Sequence, residues 1–218
     1  MLVGVPREIK IQEHRVGLIP SSVRELCHHG HSVIVESGAG AATPEEVFVR
    51  ADMVVKVKEP QPPEYALLRE GQILFTYLHL AAEPTLTQAL LDSGCVAISY
   101  ETVTGRLGGL PLLAPMSEVA GRMSIQVGAH CLEKETGGRG VLLGGVPGVE
   151  PAHVLVLGGG VAGGNAARMA MGLGARVTVI DRSLPRLAEL DGLYGVALNT
   201  IFATVDAVER YVHDADLV

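Results

Sequence analysis

The sequence predicts an α/β protein with two parallel-sheet domains. Three observations carry that expectation. Short runs rich in Val, Ile, Phe and Tyr recur along the chain, as buried strands do. Helix-like segments with recognisable start and stop signals lie between them. Glycine is abundant, at 27 of 218 residues, and Trp is absent, a balance that suits folds whose strand-to-helix turns consume glycine.

The strand-like runs of the first half are LVGV at 2–5, SVIVE at 32–36, MVVKVK at 53–58, ILFTYL at 73–78 and VAISYE at 96–101. The helical pieces alternate with them. Ser21 and Ser22 precede VRELCHHG, which closes on Gly30 as a C-terminal cap. TPEEVFVRAD offers Thr43 as N-cap and Pro44 at the first helical position. Glu45 and Glu46 then face the positive end of the helix dipole. EPTLTQALLDSG repeats that logic between Pro84 and Gly94. Such alternation implies parallel strands joined by right-handed crossovers. These elements define a first domain over residues 1–114. A long helix starting near Ser117, in LLAPMSEVAGRMSIQVGAHCLEKE, links it to a second domain over 115–218. The glycine-rich loop GGRGVLLGGVPGVEP then leads to a strand at His153.

Composition excludes several classes. Net charge is −7 and the Lys and Arg residues are scattered, which argues against a nucleic-acid surface. Cys27, Cys95 and Cys131 are far apart and odd in number. They form neither a CxxC pair nor a disulfide framework, and suit a reducing compartment. MLVGVPREIK lacks the pattern of a signal peptide, and no run reaches the ~20 apolar residues of a membrane span. The expected location is the cytoplasm, without a membrane partner. There is no GK[ST] phosphate loop, no G-x-S-x-G elbow and no HExxH zinc site, so no metal is expected.

The stretch HVLVLGGGVAGGNAARMAMGLGARVTVID, residues 153–181, carries the clearest motif. Gly158, Gly160 and Gly163 fit G-x-G-x-x-G. In a Rossmann-like unit the first glycine permits the tight turn. The second lets a pyrophosphate approach the backbone, and the third lets helix pack on strand. N–H groups at the helix N-terminus then hold the phosphates. Strand 153–157, helix 161–173, strand 176–180 and Asp181 at the strand end supply the context that such a motif needs. Asp181 would accept hydrogen bonds from the adenosine ribose and repel a 2′-phosphate, favouring NAD, whereas Arg182 beside it would suit NADP. A glycine-rich turn without a ligand is the bland alternative, and the complete strand–turn–helix–strand setting outweighs it.

In open α/β sheets the site lies beyond the carboxyl ends of the strands. Those ends present Glu13 and Arg15 after the first strand, Lys58 after MVVKVK, His79 after ILFTYL and Glu101 after VAISYE. Arg and Lys can hold a carboxylate, Arg bidentately, and His exchanges protons near neutral pH. With NAD, this set points to hydride transfer on a small carboxylic acid. Each residue also has a structural reading. Lys56 rivals Lys58 from the same strand face, Arg15 could pair with Glu13, and His79 could be a hydrogen-bonded packing residue.

The chain resembles the N-terminal part of the bacterial alanine dehydrogenase family, which is related to the N-terminal domains of proton-translocating transhydrogenase. VGVPREIK, EHRVGLIPSSV, VVKVKEPQ, ILFTYLHLAA, LLAPMSEVAGRMSIQVGAH and the glycine-motif region carry the resemblance across nearly the whole chain. It implies reversible oxidation of L-alanine with NAD to pyruvate and ammonium. Arg15 and Lys58 would hold the substrate carboxylate, and His79 would be the acid/base group at the substrate carbon. Ser117 would contact the cofactor. Gly158, Gly160 and Gly163 would cradle the pyrophosphate, with Asp181 on the ribose. It also implies a homo-oligomer, usually a hexamer.

Two departures from the family pattern are expected. SGAG runs almost directly into AATPEEV, where the family has a further helix and short strand. In the second domain only strands near 153–157, 176–180 and 196–202, and the start of a fourth at DADLV, are expected. It would be truncated after its first half, and the first domain would lack its usual C-terminal return. A hexamer is then in question, and a second reading arises: a noncatalytic remnant or nucleotide-binding fragment, or a piece of a transhydrogenase subunit.

Overall fold

The computed structural model describes residues 1–38 and 42–218. The junction between SGAG and AATPEEV, where the shortening is expected, falls at 39–41 and lies outside the described residues. The chain divides into two compact units, Met1–Leu112 and Leu113–Val218.

The first unit runs β1 (Leu2–Val5), α1 (Pro20–His28), β2 (Ser32–Val35), α2 (Pro44–Arg50), β3 (Met53–Val55), α3 (Pro62–Tyr65), β4 (Ile73–Thr76), α4 (Pro84–Ser93) and β5 (Val96–Ser99). Its strands form one parallel sheet in the order β2-β1-β3-β4-β5. The chain therefore turns to one side of β1 to lay down β2 and to the other to lay down β3. The carboxyl ends of β1 and β3 flank a topological switch point, the place where such sheets bind ligands. The sheet is covered by the apolar faces of its helices, with Phe48, Val54, Leu74, Leu86 and Leu90 buried in one cluster. Gly4 in β1 permits that packing, because a Cβ there would lie 2.7 Å from Ala51 Cβ and 2.8 Å from Val47 Cγ1.

Local signals explain the helix ends. Thr43 caps α2 through a reciprocal box: its hydroxyl accepts from Glu46 N–H at 3.2 Å, and Glu46 accepts from Thr43 N–H at 2.9 Å. Helix α1 begins at Pro20, so Ser21 and Ser22 lie inside its first turn and do not cap it. Proline fits there because its missing N–H would have had no partner. Gly30, at φ 79°, follows the helix end, and Gly94 closes α4 at φ 65°.

Four strands are shorter than the apolar runs that predict them, ending at Val35, Val55, Thr76 and Ser99. Lys58 is therefore a loop residue and not the end of β3. The cause is local. Lys56 N–H still donates to Phe75 O at 3.1 Å, but Val57 N–H is then taken by the Glu8 carboxylate at 2.6 Å in place of a strand partner.

The second unit runs α5 (Ala114–Cys131), β6 (His153–Leu157), α6 (Val161–Gly172), β7 (Arg176–Asp181), α7 (Leu184–Tyr194), β8 (Leu198–Phe202) and α8 (Val205–Asp214). Its parallel sheet has the order β6-β7-β8. On the free side of β6, Leu155 N–H donates to Leu217 O at 2.8 Å and Val154 bridges Leu217 in parallel. DADLV thus begins to pair where a fourth strand belongs. Helix α5 starts at Ala114, earlier than the Ser117 expected from sequence, with Pro115 in its first turn. Small residues let α5 and α6 meet closely: a Cβ on Gly121 would lie 2.0 Å from Ala162 O. Ala167, Ala170, Val177, Val179 and Leu190 form the buried centre. Among the described residues no helix is long and apolar enough to cross a membrane.

Candidate functional site

In the first unit, the segment leaving β1 lines a cavity of about 870 Å³ with Arg7, Glu8, Lys10, Glu13, His14 and Arg15. Glu13 accepts from Arg15 Nε at 2.8 Å, from Nη2 at 2.6 Å and from the Arg15 backbone N–H at 2.9 Å. These bonds, aided by the charge of Lys58, hold the Glu13 carboxyl down at about 2 against a smaller effect of burial. The Arg15 guanidinium is pushed upward by the same pair. The pairing with Glu13 anticipated for Arg15 is therefore present.

Lys56 and Lys58 separate clearly. Lys56 is fully buried, its Nζ 2.7 Å from Glu64 Oε1 and 3.3 Å from Glu8 Oε2. It is a structural cation with no surface for a ligand. Lys58 is half-buried on the rim, and its backbone N–H lies 3.4 Å from Glu8 Oε1. Lys10 pairs with Glu59. Burial pushes the Glu59 carboxyl up, but the bond from Lys10 and nearby charges, His79 among them, bring it below the ordinary carboxylate range.

His79 follows β4 in a left-handed conformation, φ 51° and ψ 35°, an uncommon backbone for a residue with a Cβ. Glu101 explains how it is held. Its carboxylate accepts from His79 N–H at 2.7 Å and from Leu78 N–H at 3.0 Å, and Oε1 lies 3.7 Å from the His79 Nδ1. Burial raises the Glu101 carboxyl, yet the Ser99 hydroxyl and those N–H groups outweigh it and hold the group low. The imidazole is half exposed and stacks on the Tyr77 ring at 6.2 Å and 11°. His79, Glu101 and Thr102 also line a cavity of about 410 Å³. Arg15 and His79 line separate cavities; the charge of Arg15 reaches Tyr77, on which His79 stacks, and that of Lys58 reaches Glu13.

In the second unit, each motif glycine has the geometry that its position requires. Gly158 has φ 97°, open only to a residue without a Cβ. A Cβ on Gly160 would meet nothing, leaving its backbone open to a ligand. A Cβ on Gly163 would fall 1.8 Å from Gly158 O, so α6 can lie against the turn only without one. Asp181 at the end of β7 accepts from Gly159 N–H at 2.6 Å and Ser183 N–H at 2.7 Å. The Ser183 and Gly159 amides hold its carboxyl low. Asp181, Gly158, Leu157, Arg182 and Ala203 line a groove of about 420 Å³. Ser117 lies on α5 one turn before Gly121, and its backbone N–H donates to Leu113 O at 3.2 Å. Among the described residues no cluster of His, Cys, Asp or Glu suits a metal.

The Gly163 contact makes a sharp test. Gly163→Ala should lower stability by about 1–3 kcal/mol, the usual cost of overpacking, whereas Gly160→Ala should leave it nearly unchanged. Thermal unfolding of the two variants checks this, and equal melting temperatures would refute the packing role.

A family model for the alanine dehydrogenase/PNT N-terminal domain matches residues 4–120, and one for the C-terminal domain of the same family matches residues 124–218. The chain belongs to the alanine dehydrogenase/PNT family. The alanine dehydrogenase of Halomonas elongata is 54% identical over 100% of this chain and 63% of its own length. That of Bacillus subtilis is 52% identical over 100% of this chain and 61% of its own. The chain thus spans less than two thirds of these relatives. A solved L-alanine dehydrogenase matches 99% of this chain and 64% of its own, with 49% identity and a TM-score of 0.87. A transhydrogenase from Sinorhizobium meliloti, 22% identical with a TM-score of 0.75 over 99% of this chain and 68% of its own, shares the fold.

Within this alanine dehydrogenase/PNT chain, two features escaped the sequence reading. Glu8 was not singled out, although it ties Lys56 to the backbone that carries Lys58. Arg186 was also missed. Its Nε donates to Gly159 O at 2.6 Å and its Nη1 pairs with Glu189 at 2.6 Å. The available signal was the order Asp181, Ser183, Arg186: Ser183 caps α7 and sets Arg186 in its first turn, facing back to the glycine loop.

Proposed function

We propose that this chain provides the substrate and nucleotide sites of an alanine dehydrogenase, performing reversible NAD-dependent oxidative deamination of L-alanine to pyruvate and ammonium. The observation that carries the reading is that Arg15, Lys58 and His79 each lie in a segment leaving the carboxyl end of a strand of one parallel sheet. The names of the curated relatives support it.

On this reading Arg15 and Lys58 hold the substrate carboxylate, Arg15 by its planar fork and Lys58 as a point charge. Oxidation of alanine with water releases one proton as pyruvate and ammonium form. His79 takes that proton, and returns it in the reverse direction. Glu101 keeps the imidazole in place through the His79 backbone.

The residues of the second unit fit NAD. The exposed backbone of Gly160 and the first N–H groups of α6 suit a pyrophosphate. Asp181 suits the adenosine ribose, since a carboxylate can accept more than the two backbone bonds that it already holds. Arg186 braces the loop, and Ser117 approaches the cofactor from α5. Bound NAD supplies the hydride acceptor. The reaction takes place in the cytoplasm on small molecules, with no nucleic acid or membrane as partner.

The test is absorbance of NADH with the purified chain, NAD and L-alanine, with circular dichroism to establish folding. Alanine-dependent NADH formation is expected. A folded chain that neither turns over alanine nor binds NAD would refute the reading.

A further inference from the structure

The loop leaving β1 places a carboxylate of the protein itself where a substrate carboxylate would go. Glu13 occupies both Nε and Nη2 of Arg15, one of the guanidinium edges that accept a carboxylate bidentately. The charge of Lys58, the other cation assigned to the substrate carboxylate, also falls on Glu13. The arrangement is built into the backbone. Gln12, immediately before Glu13, has φ 64°, a left-handed turn that a non-glycine residue adopts only under local constraint. Arg15 N–H closes the turn on Glu13 Oε1. The Glu13 side chain is 8% exposed and that of Arg15 47%, so the carboxylate is tucked in while the guanidinium still reaches the cavity.

We propose that Glu13 stands in for the substrate carboxylate on Arg15 and is displaced when substrate binds. The proposal rests on the assignment of Arg15 and Lys58 to that carboxylate. Two carboxylates cannot share one guanidinium edge. A substrate carboxylate that Lys58 also engages has a second source of affinity with which to displace Glu13, tethered two residues from Arg15.

The expected sign is unusual for a residue lining a site: its removal strengthens binding. Partly exposed ion pairs are weak, so the gain is modest, roughly two- to fivefold in Kd. Calorimetric titration with pyruvate and with acetate, on the folded chain and its variants, measures it. Glu13→Gln should bind both pyruvate and acetate more tightly. Glu13→Asp keeps the charge but withdraws it by one methylene, and should tighten both by a smaller factor. Adding Arg15→Gln to Glu13→Gln should abolish the gain. Unchanged or weaker pyruvate binding in Glu13→Gln, with binding lost in Arg15→Gln, would overturn the displacement role and leave the substrate assignment standing. Tightening in Glu13→Gln but not in Glu13→Asp would ascribe the effect to net charge and overturn it as well. Pyruvate binding that is absent, or indifferent to Arg15→Gln, would overturn the assignment and the proposal together.

Discussion

On the proposed function, His79→Asn should lower the rate of alanine oxidation by about 10²–10⁴-fold, the usual contribution of a positioned acid–base group. Asparagine is the informative replacement because it tolerates the left-handed backbone found at His79. Its backbone N–H can still donate to Glu101, so the loop keeps its shape while the imidazole is gone. The carboxylate contacts proposed for Arg15 and Lys58 do not involve the imidazole, so KM for pyruvate should change far less than kcat. Steady-state kinetics alongside thermal unfolding separates the two effects. A variant that melts normally and keeps its kcat would remove His79 from the chemistry.

Lys56→Met gives the largest expected loss of stability, about 3–5 kcal/mol, because it leaves buried carboxylates without their counter-ion. Glu8 and Glu64 both point at this ammonium, and each has another bond that fixes it: Glu8 to Val57 N–H, Glu64 to Gln61 N–H at 2.7 Å. Neither can swing out to water without releasing a backbone donor. The pH dependence has a definite sign. Burial already raises the Glu64 carboxyl, with Lys56 opposing it; without Lys56 it rises further. A carboxyl whose folded value exceeds its unfolded one contributes stability at low pH that disappears as pH climbs through the folded value. The deficit relative to the parent should therefore be greatest near neutrality and shrink on acidification. Denaturant unfolding of parent and variant at several pH values measures that difference. A deficit independent of pH would assign the loss to packing instead of charge.

The parallel sheets and the order of helices were legible because apolar runs, prolines and capping residues are local signals. Thr43 and Glu46 form the box that their spacing suggests. The glycine motif was legible for the same reason, since Gly158 and Gly163 each meet a backbone requirement set by near neighbours. Residues whose role depends on distant partners were not. Lys56 and Lys58 look alike in MVVKVK, and only Glu8 and Glu64, from other segments, bury one and leave the other on the rim. The same remote capture of Val57 N–H ends β3 early, which alternation of residue types cannot reveal. Arg186 is one more arginine on a helix until Gly159 O is found beside it.

The order β2-β1-β3-β4-β5 also has a meaning during synthesis. Strand β1 is inner in the sheet but emerges before both of its partners. Val3 pairs with Val33 on one side and with Met53 on the other, and no hairpin is available to satisfy it sooner. At roughly 5–20 residues per second, the second partner leaves the ribosome several seconds after β1 itself. Through that interval an apolar strand waits with open hydrogen-bonding edges, the state that nascent-chain chaperones exist to shield.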